Sequence, residues 1–489
     1  MKNKSINRAL SLMLNRFISK LGIISCFCAF SLNACMMGPD FKTPAAPNVK
    51  PLKVADSTQH FTLNQTIPAD WWTLYHSPAL NELITTGLTN SPTIDAATAT
   101  LRQAKEQLNA QTGNLLLPAV TLDANGQRQR TGIASGEPAG VFNLYNASVS
   151  VAYTLDVWGA SRRQIEGARA AVENQQHELR AAQLMLTGNI ATSAIMLASF
   201  NAQKTATEAL IKAQSDQLDL MQKQLSLGGV SQQDILAQQT QLEQTRALLP
   251  PIKKSLFQTQ NALAVLVGRF PDEKALPFIQ LDTLSLPASL PISIPSDIVK
   301  QRPDIQASLA LLHQASAAVG VATANMFPQM TLNGSYGGSS TILNTLFNAS
   351  TRTWSFGPQL AAPLFNGGAL SAQKRAAIAA FDAANAQYHQ TVLSAFQNVA
   401  DSLRAVETDA RLEITEKKAE STAHAALELT RQQFTLGGVS FLAVLNAESQ
   451  YNQAIVQRIL ATAARLTDTV ALFQSLGGGW WNQKGVAVS

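Results

Sequence analysis

Leu227-Gly228-Gly229-Val230-Ser231 returns as Leu436-Gly437-Gly438-Val439-Ser440, 209 positions later. The match extends outward from this tract. Gly268 maps onto Gly477, and Trp158-Gly159 onto Gly367-Gly368, at the same spacing. Leu117-Pro118 pairs with Phe327-Pro328 at 210, and Pro92-Thr93-Ile94 with Pro303-Asp304-Ile305 at 211. Anchors kept in one order with so little drift mean a duplicated unit of roughly two hundred residues, too long for a solenoid repeat. Two fused copies of one supersecondary block are expected, over residues 70–290 and 291–481.

Each copy contains a segment of period two. In residues 145–157 apolar side chains alternate with small or polar ones, as in a strand with one greasy and one wet face. Val120, Leu122 and Ala124, alternating with Thr121, Asp123 and Asn125, form its weaker partner across a loop at 132–140. The second copy supplies residues 330–336 and 354–360. Hairpins are thus expected within 119–157 and 329–365, each strand about ten residues long, the span of a membrane β-strand.

After each hairpin the period changes. Residues 160–226 hold no proline and are dense in Ala, Gln, Leu and Glu. Ile165, Val172, Leu179 and Leu186 keep heptad time, which resumes after a four-residue step at Ile190 and runs on through Leu197, Lys204, Ile211, Leu218 and Leu225; such a stutter locally unwinds a supercoil. Phe381, Tyr388, Ala395, Val399, Val406, Leu427 and Phe434 repeat the pattern. The Gly-Gly tract reverses the chain, and Ile235, Leu242, Leu249, Leu256 and Leu263 return at sevens. Pro250-Pro251 is expected to kink or break that returning helix. Helical hairpins are therefore predicted over 160–268 and 368–476, after short helices near 79–89 and 101–115.

The formal net charge of +5 comes from Lys2, Lys4, Arg8, Arg16 and Lys20, since the rest of the chain balances. A neutral body gives no reason to expect nucleic-acid binding. Residues 1–34 read as a secretory signal, with Leu32-Asn33-Ala34-Cys35 as a lipoprotein processing site and Cys35 as the lipidated residue. Ordinary cleavage nearby, or processing at Cys26, are the alternatives. Residues 35–69 read as a lipidated tether and 482–489 as a tail. All three cysteines, Cys26, Cys28 and Cys35, precede the body, which therefore has no thiol for a disulfide, metal or nucleophile. Beyond the leader no run of about 18–20 consecutive apolar residues occurs, so a body that spans a membrane is expected to do so as a closed β-barrel.

Four strands cannot close a barrel, because the smallest single-chain barrels use eight. An open sheet in lipid leaves unpaired edge groups, each costing several kcal/mol. Other copies must close the edges. Three copies would give twelve strands, though this argument alone does not choose three over four.

Together these segments resemble the TolC-like outer-membrane efflux family, specifically its NodT-type lipoprotein branch. The resemblance runs from Cys35 to Trp481 and rests on Gly38-Pro39-Asp40-Phe41, Leu155-Asp156-Val157-Trp158-Gly159, Leu249-Pro250-Pro251, residues 263–268, Arg302-Pro303-Asp304-Ile305, Phe327-Pro328 and residues 476–480. Leu309, where the branch usually has Glu, and Ala369, where an Arg commonly follows the Gly pair, depart from it. The resemblance implies a mainly helical mixed α and β fold. It further implies a homotrimer with a twelve-stranded outer-membrane barrel, a periplasmic α-helical barrel and an equatorial belt. Docking onto a periplasmic adaptor and an inner-membrane pump, of the RND type in this branch, is also implied. The function expected is a passive duct for drugs or other small toxic compounds. Protein secretion, metal-ion export, or a non-conducting envelope lipoprotein are the alternatives.

On this reading Leu227, Gly228, Gly229, Val230 and Ser231, with Leu436, Gly437, Gly438, Val439 and Ser440, form the periplasmic tip that meets the adaptor. Plain chain reversal accounts for the glycines equally well. Asp216, Asp219, Asp234, Glu428 and Arg431 are candidate gate residues, against the alternative of solvated faces or an intrahelical Glu428–Arg431 pair. Trp71 and Trp72 are expected to pack in the belt with Trp480 and Trp481. Tyr153, Trp158, Trp354 and Phe356 are expected in aromatic girdles. Arg302 and Asp304 read as a structural ion pair. His60, His76, His177, His313, His389 and His424 show no ligand spacing, and neither a phosphate loop nor a Gly-x-Ser-x-Gly elbow occurs. No enzyme activity, metal or cofactor is expected.

Overall fold

The computed structural model describes residues 36–45, 47, 59–63, 67–132, 140–271, 275–292 and 299–482. The leader and Cys35 lie outside the described residues, as does the tail beyond Asn482. The chain is mainly helical, with a smaller share of sheet. It divides into two compact units.

The first unit, built from residues up to Thr43, Arg102–Asn174 and Ser308–Tyr388, holds the principal sheet. Its strands are β2 (Ala119–Thr131), β3 (Gly140–Leu155), β5 (Gln329–Ser340) and β6 (Arg352–Ala361), in the order β2-β3-β5-β6 and all antiparallel. They are longer than the alternating cores at 120–125 and 330–336, because residues 126–131 and 337–340 continue the ladder without apolar alternation. The register puts each apolar row on one face. Leu122 faces Val149, Val149 faces Tyr336, and Tyr336 faces Trp354. The opposite face is tied by side-chain hydrogen bonds. Asn146 donates to Asn125 at 3.0 Å, Asn333 to Gln359 at 3.1 Å, and the Ser335 and Ser355 hydroxyls meet at 2.8 Å.

Trp158 departs from the girdle expectation. It lies beyond β3, stacks on Phe327 at 4.8 Å, and donates from Nε1 to the Pro328 carbonyl at 2.7 Å. Trp354 and Phe356 do stand exposed on the apolar face.

Residues 37–41 are bound to this unit by a compact latch. Met37 N donates to the Trp158 carbonyl at 3.0 Å. Arg163, 1% exposed, donates to the Met37 and Gly38 carbonyls and to Asp40 Oδ1 at 2.7 Å. Its other arm holds Glu166 at 2.7 Å. Glu166 in turn meets His313 Nε2 at 2.9 Å, and Phe41 stacks on the His313 ring at 4.4 Å. Gly38, at φ +91°, lies so close to Gly320 that a Cβ would sit 2.5 Å from the Gly320 Cα. The Gly38-Pro39-Asp40-Phe41 motif is thus read by one buried guanidinium and one stacked imidazole.

The second unit, built from Pro44–Leu101, Gln175–Ala307 and His389 onward, holds most of the helices. The helices, numbered through both units, are α1 (Pro78–Asn90), α2 (Pro92–Leu116), α3 (Ala160–Ser226), α4 (Gln232–Leu266), α5 (Pro303–Ala324), α6 (Ala369–Thr435) and α7 (Phe441–Ser475). The unit boundaries fall inside α2, α3, α5 and α6. Helices α3 and α6 both have 67 residues, and α4 and α7 both have 35. The heptad positions Ile190, Leu197, Leu218, Ile235, Leu242, Val399, Val406 and Leu427 are buried.

Pro250 and Pro251 do not break the returning helix, which runs through both. Their rings and the carbonyl-bearing residues Arg246 and Ala247 are exposed, so water can replace the lost backbone bonds. Two helices, α3 and α5, contain an 18-residue window of mean hydropathy 1.3, although no continuous apolar run was expected. Alanine raises that mean, and about half of each window is buried inside the fold.

Trp71 packs on Tyr75, Trp72 and Phe473 rather than on Trp480. Trp480 instead carries Arg180 over its ring at 3.9 Å. Arg302 pairs with Asp304 at 2.6 Å, as the sequence led us to expect. A short parallel pair, β1 (His60–Leu63) with β4 (Ser289–Ile292), escaped the sequence reading because four-residue strands carry too little alternation.

The latch leads to a measurable expectation. Gly38→Val adds side-chain atoms where Gly320 leaves no room, so residues 36–45 should become cleavable by protease in the folded protein while the parent resists. Equal resistance of both would remove the proposed role of this contact.

Candidate functional site

At the α3–α4 turn the chain reverses through a Schellman motif. Gly228 takes φ +77°, its N–H donates to the Leu225 carbonyl at 3.0 Å, and Gly229 N donates to the Gln224 carbonyl at 2.8 Å. The α6–α7 turn repeats this geometry, with Gly437 at φ +75°, Gly437 N to Phe434 O at 2.9 Å, and Gly438 N to Gln433 O at 2.8 Å. Leu227 and Leu436 stand at the apices, each 86% exposed. A leucine with no cover at the apex of two separate turns is an unsatisfied apolar surface.

Behind the apices the two hairpins share one core. Leu218, Met221, Ile235 and Leu242 from the first pack with Leu427, Phe441, Val444 and Leu445 from the second. Val230 and Phe434 lean on it, the latter ring 5.5 Å from Phe441. One polar layer interrupts this core, where buried Gln238 donates to the Gln214 carbonyl at 3.0 Å.

The two turns differ in their capping. Ser231 and Asp234 form a capping box. Ser231 N donates to Asp234 Oδ2 at 3.0 Å, and Asp234 N to Ser231 Oγ at 3.2 Å. Ser440 caps α7 without any side-chain bond, and position 443, 209 residues beyond Asp234, is Ala.

Most of the candidate gate charges are locally engaged. Asp234 is held in its capping box. Asp216 pairs with Lys212 at 2.8 Å on an exposed face of α3. Glu428 pairs with Arg431 at 3.1 Å, the intrahelical pairing considered for it. Asp219 is exposed on α3.

The residue missed by sequence reading is Glu448, 2% exposed, which takes Arg431 Nη2 at 2.7 Å. Burial alone would lower the Arg431 pKa, but Glu448 and Glu428 outweigh it and hold the guanidinium above its ordinary value. Glu448 lies seven residues after the buried Phe441. A carboxylate at a heptad core position was the available signal.

Farther along the same helix pair, Glu413 binds Lys417 and Arg465. There Asp409 is pushed up to about 6, first by burial and then by the carboxyl of Asp468 on α7.

Residues 83–269 and 294–478 each match the family described as outer membrane efflux protein. The chain is similar to the probable efflux pump outer membrane protein TtgC of Pseudomonas putida, 31% identical over 470 residues, covering 94% of this chain and 96% of that one. It is similar to the probable outer membrane lipoprotein SilC of Salmonella typhimurium, 26% identical over 466 residues and covering 94% and 99%. Among solved structures it resembles the outer-membrane channel OprN, with TM-score 0.85 and 26% identity, over 91% of this chain and 100% of that one.

Two expectations concern the α6–α7 pair. Arg431→Gln strands a buried Glu448 carboxylate, which costs about 3–5 kcal/mol, whereas Lys212→Gln should cost no more than about 0.5 kcal/mol. Adding Glu448→Gln to Arg431→Gln should restore most of the thermal midpoint, and a double variant no more stable than Arg431→Gln would refute the pairing. Asp409 binds its proton more tightly when folded, so its carboxyl weakens the fold progressively as pH rises from about 4 to about 6. Asp409→Asn should therefore raise the melting temperature at pH 7.5 and leave it unchanged near pH 4. The same gain at both values would exclude this linkage.

Proposed function

This chain belongs to the outer membrane efflux protein family, and on that premise we propose that three copies close their sheets into one twelve-stranded barrel. The chain is the outer-membrane channel component of an efflux system. The observation that carries the proposal is the open four-stranded sheet. Its apolar face is bare, and β2 and β6 each lack a second neighbour among the described residues. Since β2 and β6 run antiparallel, β6 of one copy can join β2 of the next and keep the ring antiparallel throughout. Every strand edge is then satisfied, which lipid requires.

The internal repeat supports the same ring. Within one chain, Trp158 after the first hairpin packs on Phe327 before the second. The matching surfaces of the other pair, Leu364-Phe365 after β6 and Leu116-Leu117 before β2, are uncovered, with Phe365 91% exposed. The repeat puts Gly367 in the place of Trp158, so in a head-to-tail ring Leu364-Phe365 would supply the apolar surface that meets Leu116-Leu117 across each boundary.

The paired helical hairpins form the wall of a periplasmic barrel continuous with the sheet. Repeats 70–290 and 291–481 each supply one strand hairpin and one helical hairpin to it, with an equatorial belt between. Leu227 to Ser231 and Leu436 to Ser440 offer apolar apices to a periplasmic adaptor, and an inner-membrane pump of the RND type supplies the energy. Passage of drugs or other small toxic compounds is passive. Asp216, Asp219, Asp234, Glu428 and Arg431 surround the narrow end as candidate gate residues, with Asp219 the most available. Cys35 carries the lipid anchor.

The test combines Leu117→Cys with Phe365→Cys. Oxidation should give covalent dimers and trimers on denaturing gels from the double variant and from neither single variant. The cross-linked trimers should conduct in planar bilayers. Monomer bands alone, or a flat current trace from intact trimers, would refute the duct.

A further inference from the structure

The end of the sheet remote from the helices carries a charge pattern that a duct does not require. On β2 the outward row reads Val120, Leu122, Ala124, Gly126, Arg128, Arg130, all exposed. The register puts this row on the face of Val149 and Tyr145, the apolar one. On β6 the same face ends at Arg352, also exposed, beyond Trp354 and Phe356. The four strands hold a single acid, Asp123, on the opposite face. The nine residues from Val120 to Arg128 span roughly 27 Å of strand, or about 21 Å of membrane depth at a typical barrel tilt, close to the height of an apolar band. The arginines therefore stand where the hydrocarbon ends and the headgroups of the far leaflet begin.

A second observation lies on the same margin. The β5–β6 connection folds back over that face. A Cβ on Gly338 would sit 2.1 Å from the Leu346 carbonyl, and Ser340 Oγ, which meets Thr345 Oγ1 at 2.6 Å, is covered. Held this way, the connection exposes Ile342, Leu343 and Phe347, and its Leu346 carbonyl lies over Gly338, the register partner of Arg352. Cations next to ordered apolar side chains match an amphiphile whose phosphates adjoin its acyl chains.

We propose that Arg128, Arg130 and Arg352, with the apolar 342–347 segment, form a binding site for a phosphorylated glycolipid of the outer leaflet. The arginines lie on the two edge strands, so the site is completed at each junction between copies and rests on the ring proposed above. Guanidinium forks bind phosphate in two-pronged fashion, which favours a headgroup with several phosphate oxygens over a single diester.

The test uses delipidated full-length protein in detergent, titrated with lipopolysaccharide, its dephosphorylated form, or phosphatidylglycerol, with thermal midpoint and native mass as readouts. Lipopolysaccharide should bind and raise the midpoint, while the other two bind far more weakly. The triple variant R128Q/R130Q/R352Q should bind lipopolysaccharide at least about tenfold more weakly, as each basic residue contributes to attraction at an anionic surface. Unchanged affinity in the triple variant, or equal binding of phosphatidylglycerol, would overturn the site. Native mass also reports the number of copies, so a monomer would indict the ring, whereas a trimer indifferent to lipopolysaccharide would indict this inference alone.

Discussion

Backbone amides and carbonyls have no partner in hydrocarbon except one another. A strand pair in water can leave its outer edge to the solvent, but a sheet in lipid cannot, at several kcal/mol for each lost partner. This chain puts four strands in one sheet and leaves β2 and β6 with open sides. The requirement to satisfy those edges drives the remaining architecture. In the ring proposed above, other copies are a condition of stability, and Leu364 and Phe365, bare in a single chain, gain their cover there. The same ring allows a wall to be built without a conventional core, since each copy would provide only an arc.

The helices meet a milder form of the same demand. Their cores are heptad seams, and the buried glutamates Glu413 and Glu448 are each held by a cation. Glu448 is tolerated because Arg431 reaches it, and Glu413 because Lys417 and Arg465 do. The Gln214–Gln238 layer is the looser solution, one hydrogen bond in a buried position. Such layers weaken a helical interface relative to aliphatic packing.

Much of this architecture was legible in the chain because periodicity reports burial directly. The heptads named Ile190, Leu218, Leu242 and Val406 as core, and the alternation at 145–157 separated the two faces of β3. Cooperative detail was not legible. Pro250-Pro251 was expected to kink or break a helix that in fact runs on through both, since the penalty falls on carbonyls open to water. Trp158 looked like a girdle residue until its ring was found on Phe327, a partner 169 positions away that no local pattern could indicate. The state of the candidate gate charges was hidden for a related reason. Spacing shows which charges lie near the turns, but their hydrogen bonds decide whether they are free, and Asp234 is occupied by its own helix start.

The difference between the two turns has a consequence for whatever meets them. Leu-Gly-Gly-Val-Ser is the same five letters twice, yet one copy is braced by the Asp234 carboxylate and the other has a methyl group at that place. Around a ring of three chains the six fingertips would alternate between stiff and pliant. A visitor with six identical hands would find only three grips of each kind, so rotating it by one sixth of a turn would not return an equivalent fit.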